Sequence, residues 1–349
     1  MTQSSTLTHE SGANNESNRL LHSLWLLSLL LAASAGLSLC LGSFPTQPLQ
    51  VLSALTAPAH SDIAFIIWQL RLPRIVLAIL VGAALAMAGA ILQSIVRNPL
   101  ASPDVVGITS GAALAAVLYL TLLSTSLSTL LSIHWLPAAA MLGALVSALL
   151  VASLAWKNGI SPSRVVLVGV GLAAAMGAGT TLMIVISEDS AAMTAYVWLT
   201  GSLYAAQWGD VMGLLPWLLA ATPVVLALSR HADAMALGDQ VAEGLGVPIL
   251  RSRMILLGCS VVLAGAAVAF AGGLSFVGLI APHLAAKLVG RNLARLVPVS
   301  ALVGALIVVN ADLLGRVAFL PKDLPAGIFV AGIGAPFFVY LLHRSRGRV

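Results

Sequence analysis

The sequence predicts an all-α fold, a polytopic membrane bundle of about ten transmembrane helices in one domain, with short helices in a polar loop on one face. Three observations predict it. Mean hydropathy is +1.02 and 59% of the 349 residues are hydrophobic, above the ~45–50% of a soluble domain. Only 8% are charged, about a third of the usual ~25%. The apolar stretches run ~18–24 residues without strand-like alternation, the length a helix needs to cross the bilayer core. In hydrocarbon each backbone polar group must be bonded within the chain, so the alternative to helices is a closed barrel, and the missing alternation excludes it.

Taken in order, residues 1–18 are rich in Ser, Thr and Asn without apolar periodicity and read as a disordered cytoplasmic tail. The rest, 19–349, reads as one ten-helix membrane domain. Arg19 to Leu41 is the first span. Ala33-Ser34-Ala35 within it resembles a cleavage site, but no basic segment precedes it, so the span is read as uncleaved. A polar interval with Pro45, Pro48, Pro58, His60 and Asp62 follows, and Arg71-Leu-Pro-Arg74 heads a second span to about Val96. The breaker-rich turn Arg97 to Asp104 leads to a third span ending near Leu123. Leu136–Trp156 and Val165–Ile186 are the fourth and fifth, joined by the loop Lys157 to Arg164. The stretch with Glu188, Asp189, Tyr196, Trp198, Tyr204 and Trp208 suits a helix at the membrane interface. Val211–Ser229, Met254–Phe270, Leu274–Leu288, a run ending near Asp312, and Leu324–Leu342 complete ten.

Between the sixth and seventh spans lies the polar segment Arg230 to Arg253, the longest water-compatible interval after the tail. Asp233 is placed to cap one short helical turn, Gly238 to end it, and Asp239 to cap a second turn from Gln240 to Leu245. Gly246 and Pro248 stop that turn. The pattern is that of a rigid two-helix shelf for a partner. With both termini cytoplasmic, 13 of the 17 Lys and Arg residues fall on the inner face, which places the shelf there. The four outer ones are Arg71, Arg74, Arg316 and Lys322.

Several activities are excluded. The net charge of +5 is spread thinly over loops, which argues against nucleic acid. Lys157, Lys287 and Lys322 lack the glycine spacing of a phosphate-binding loop, and neither metalloprotease nor nucleophile-elbow motifs occur. Cys40 and Cys259 have no metal or disulfide spacing, so the chain is expected to bind no metal and no cofactor and to catalyse no reaction itself. Spans two to eight contain no central Asp or Glu, which argues against an ion-coupled carrier. Small residues such as Gly82, Gly89, Gly107, Gly111, Gly169, Gly177 and Gly327 permit close helix packing.

Four motifs then carry a resemblance. Residues 71–112 (RLPRIVLAILVGAALAMAGAILQSIVRNPLASPDVVGITSGA), ALGDQVAEGLGV (236–247), GGLSFVGLIAPH (272–283) and LPAGIFVAGIGAPFFVYLL (324–342) resemble the membrane subunits of binding-protein-dependent ABC importers for ferric siderophores, haem and cobalamin. The resemblance implies an inner-membrane permease that pairs with a second permease subunit, identical or paralogous. It also implies two cytoplasmic ATP-binding subunits, which use the ATP, and a periplasmic substrate-binding protein. The shelf then resembles coupling helices, with Gly238, Asp239, Ala242, Leu245, Gly246 and Val247 transmitting closure of the ATP sites; Asp239 stands where the family usually has Glu. Arg71, Arg74 and Arg316 match outward arginines that receive glutamates of the binding protein. Ser161, Pro162 and Ser163 match a narrow cytoplasmic gate, with Pro162 in place of a commoner hydroxyl residue. His283 belongs to a Pro-His motif and is read as a hydrogen-bonded structural residue; where the family often has Arg, this chain has Ala286 beside Lys287. WKNGI (156–160) and NPLASPDVVG (98–107) lean towards ferric catecholates of the enterobactin kind, with haem or cobalamin as the alternative cargo.

Overall fold

In a computed structural model the described residues are 3–42, 44–58, 63–123, 132–156 and 162–345. Seven helices among them are long and apolar enough to cross a membrane. Three shorter apolar helices, Ile108–Leu122, Val277–Val289 and Ala326–Leu341, complete the ten expected. Chain order runs α1 (Gln3–Cys40), α2 (Pro48–Thr56), α3 (Leu72–Val96), α4 (Ile108–Leu123) and α5 (Leu136–Ala155). It continues with α6 (Pro162–Ile186), α7 (Asp189–Leu199), α8 (Trp208–Ala227), α9 (Ser229–Ala236) and α10 (Asp239–Gly244). Then come α11 (Ile249–Ala271), α12 (Val277–Val289), α13 (Leu293–Val317) and α14 (Ala326–Ser345).

Helix α3 is the centre. Its small residues let α11, α12 and α13 close around it: a Cβ on Gly82 would meet the backbone of Gly304 in α13, and one on Gly89 the backbone of Gly278 in α12. Lipid provides no hydrophobic drive between helices, so this backbone approach is where dispersion contacts accumulate. About four-fifths of the second span's most apolar window is buried (78%), against 22% for α6 and 17% for the first span. Gly177, on α6, has no neighbour within 4 Å of where a Cβ would lie, so the packing role expected for it is absent in this chain.

Several boundaries differ from expectation. The residues read as a disordered tail continue the first helix back to Gln3, extension of an existing helix being easier than starting one; the side chains of 1–17 lie outside the described residues. A π-helical turn, Ile66–Arg71, lengthens the second span, and the polar interval before it contains α2. Helix α11 begins at Ile249, so Arg251 and Arg253, read as loop, belong to its first turns. The turn after α3 enters the bundle rather than lying on it. Ser147 of α5 donates to the carbonyl of Gly107 at 2.7 Å, and Asp104 accepts from the backbone N–H of Phe276 at 3.2 Å.

Candidate functional site

The shelf forms as two short helices held from beneath. Ala232 and Met235 bury one face of α9, and Ala242 fixes α10 with no exposure at all. Asp233 does not cap its own turn. It accepts from Leu293 N at 2.9 Å and Asn292 Nδ2 at 2.6 Å, tying α9 to the start of α13. Burial raises its carboxyl above the ordinary range against the opposing pull of Leu293, Arg295 and Asn292. Nor is Asp239 a cap. The cap position is Gly238, whose φ of +123° suits glycine, and the Asp239 side chain pairs with Arg97 and, at 3.0 Å, with Arg253. Burial acts to raise that carboxyl, but Arg253 and Arg97 outweigh it and hold it below its usual range.

Three large apolar side chains face outward, among the exposed polar residues Gln240 and Glu243. Leu237, Val241 and Leu245 are 70, 49 and 65% exposed, beside exposed Gly244 and Gly246. Of the six residues expected to couple, Leu245 and Gly246 lie on this surface and Val247 is half-buried. Ala242 and Asp239 instead hold the shelf to the bundle. Leu237 and Val241 were not singled out from sequence; their place eight and four residues before Leu245 on adjoining turns is the signal that marks them.

On the opposite face Arg71, Arg74 and Arg316 come together, but they are not free. They are 6, 8 and 7% exposed. Arg74 donates to Asp312 through Nε at 2.9 and 3.1 Å, and to Asp323 at 2.6 and 3.0 Å. Arg316 lies 3.2 Å from Asp312 and donates to Ser38. Arg71 donates to the carbonyls of Leu39 and Phe44 and to Thr46 Oγ1 at 2.9 Å. The expectation of exposed arginines is thus corrected: desolvated charge needs close partners, and the folded chain provides Asp312 and Asp323. Asp312 is paired with both Arg74 and Arg316. The cluster floors a cavity of 730 Å³ walled by Phe44, Phe65, Tyr204 and Trp208.

Of the expected gate, Ser161 lies outside the described residues, as does the side chain of Pro162, which starts α6; Ser163 is exposed in its first turn. His283 packs edge-on to Phe337 with ring centres 5.7 Å apart. Among the described residues there is no group of His, Cys, Asp and Glu fit to hold a metal ion.

The model of the FecCD transport family matches residues 29–344, nearly the whole chain. The chain belongs to that family. This FecCD member is 50% identical over 318 residues to the achromobactin transport system permease protein of Dickeya dadantii, with 91% of this chain and 90% of that one covered. It is 45% identical to the Fe(3+)-citrate import system permease protein of Bacillus subtilis, covering 91% and 93%. Among solved structures it superposes with a TM-score of 0.80 and 31% identity on one described as an inward-facing metal-chelate type ABC transporter, covering 92% of this chain and 98% of that one. Both of these relatives are named as transport permease proteins.

Proposed function

We propose that this chain is the membrane-spanning subunit of an ATP-driven importer that carries a ferric siderophore or related ferric chelate across a bacterial inner membrane. The observation that carries the reading is the shelf: an apolar surface of Leu237, Val241 and Leu245, exposed to water on a rigidly anchored helix pair. Such a patch marks a protein partner, and an ATPase at this site gives a chain without a nucleotide motif its energy. A second permease subunit and two ATPases complete the assembly, with Gly246 letting the shelf turn back into α11. On the far face a periplasmic binding protein docks over the 730 Å³ cavity, whose floor is Arg71, Arg74 and Arg316. Ser161 to Ser163 close the pathway at the shelf side, and both termini are cytoplasmic.

The catecholate lean rests on two short phrases, whereas the relatives above are named for achromobactin and for ferric citrate. The cargo is therefore proposed as a ferric chelate, with a catecholate as one arm of the test. An ion-coupled carrier finds no support, because Asp312 is paired with arginine. Uptake of radioactive iron by cells lacking the gene, with and without its restoration, tests the reading. Ferric catecholate, ferric hydroxamate, ferric citrate and haem are offered in parallel. Restoration with one ferric chelate supports it and names the class; restoration with haem alone, or with none, overturns the cargo proposed.

A further inference from the structure

Asp104 stands apart from every role assigned so far. It lies in the turn between α3 and α4, and it accepts from the Phe276 N–H at 3.2 Å while Thr109 donates to it. Phe276 opens α12 with a φ of +67°, a left-handed backbone that aromatic residues rarely adopt. Such a conformation persists only where its surroundings enforce it. Two contacts do so here. Asp104 holds its amide from one side; on the other its side chain presses against Gly334, and its ring lies 6.5 Å from that of Phe338, both in α14.

The turn that carries Asp104 is itself bound to the shelf. Arg97, at its head, pairs with Asp239 of α10. From there the turn is bonded along its length: Leu100 N to Asn98 Oδ1 at 2.9 Å, Val106 N to Ser102 O at 3.2 Å, Ile108 N to Pro103 O at 3.1 Å. These bonds tie neighbouring residues of the turn to one another. Pro103 also lies against Gly278 in the first turn of α12, so a displacement of the turn reaches that helix at two points.

We propose that Asp104 is a positioning residue of the transport cycle, through which movement of the shelf is passed to Phe276 and so to α14. The chain of contacts runs Asp239, Arg97, the turn 98–107, Asp104, Phe276, Phe338. Movement of α10 pulls the carboxylate away from the Phe276 amide. The left-handed residue then relaxes, and its ring shifts against α14. The proposal rests on the reading of the shelf as an ATPase site, and its test separates the two.

The transporter is purified with its ATPase and binding protein and reconstituted in liposomes, and ATP hydrolysed per iron delivered is measured with the chelate that restores uptake in cells. Asp104→Ala is expected to lower iron delivery about tenfold while ATP hydrolysis changes less than about twofold, the scale of a lost coupling contact. Asp104→Asn keeps one acceptor oxygen and is expected to recover much of the delivery. Arg97→Ala with Asp104→Ala is expected to be no worse than the more severe single variant, since both cut one chain. An unchanged ATP-to-iron ratio in Asp104→Ala overturns the proposal. So does a parallel fall in both activities, or multiplicative effects in the double variant. Failure of the wild-type complex to couple hydrolysis to any chelate overturns instead the importer reading beneath it.

Discussion

Arg74 and Asp312, 238 positions apart in sequence, are joined by a forked hydrogen bond from one Nε to both carboxylate oxygens at 2.9 and 3.1 Å. The pair fastens α3 to α13 at the end of the bundle away from the shelf, and Arg316 and Asp323 complete it. Taking such charges out of water is costly, and the pair repays it only while both members remain.

Removing one member should therefore do more harm than a docking role predicts. Asp312→Ala leaves two buried arginines short of a partner and is expected to destabilise the chain by about 3 kcal/mol. Thermal unfolding of the detergent-solubilised protein, followed by intrinsic fluorescence, reads this. A melting temperature equal to wild type would show that the cluster does not hold the fold.

Asp323 offers the contrast. Its side chain is 25% exposed, so solvent screens it, and Asp323→Asn should lower stability by no more than about 1 kcal/mol. If the arginines also receive the binding protein, this variant raises its affinity by freeing Arg74, in a manner that weakens with salt. Surface plasmon resonance at two ionic strengths checks both directions.

At the shelf, position decides the outcome. Leu245→Glu changes an exposed side chain and should abolish ATPase attachment and uptake with no change in folding. Ala242→Leu adds volume where there is no space and is expected to cost about 1–3 kcal/mol of stability. Gly246 has a φ of +77°, so Gly246→Leu strains the turn into α11 by about 1–2 kcal/mol and should uncouple hydrolysis from uptake. Copurification of the ATPase separates the first variant from the other two.

The two shelf aspartates should respond to pH in opposite senses. Asp239 is held low, so its contribution is complete above the ordinary aspartate range, near 3.9, and disappears only as pH falls through its lower folded value. Asp233 is raised. Its contribution is greatest below that range and diminishes as pH rises through its raised folded value. Acidification from about pH 6 to pH 4 should thus strengthen the α9–α13 junction while leaving α10 in place. Hydrogen exchange at α9, compared between wild type and Asp233→Asn, tests it; identical profiles in both proteins would contradict the assignment.

Much of this was legible before any coordinates. Hydropathy defines seven spans and three shorter apolar helices, because the length of an apolar run is set by the bilayer and needs no knowledge of neighbours. The shelf's turns were legible too, since Gly238 and Gly246 break helices by a local conformational preference. Partner choice was not. Asp233 and Asp239 are good helix caps by local rules, yet Leu293, Arg253 and Arg97, remote in sequence, take both side chains in the fold.

The same division holds across the molecule. The amino-acid sequence by itself determined the membrane class, the succession of apolar helices, the place of the shelf along the chain and the family. Only the tertiary structure decided that Arg71, Arg74 and Arg316 are buried, that Leu237 and Val241 join Leu245 on one apolar surface, and that the turn carrying Asp104 reaches Phe276. Spans and turns follow from interactions a few residues long. Burial of charge follows from which distant segments meet, and that is fixed when α3, α12 and α13 close on one another's glycines.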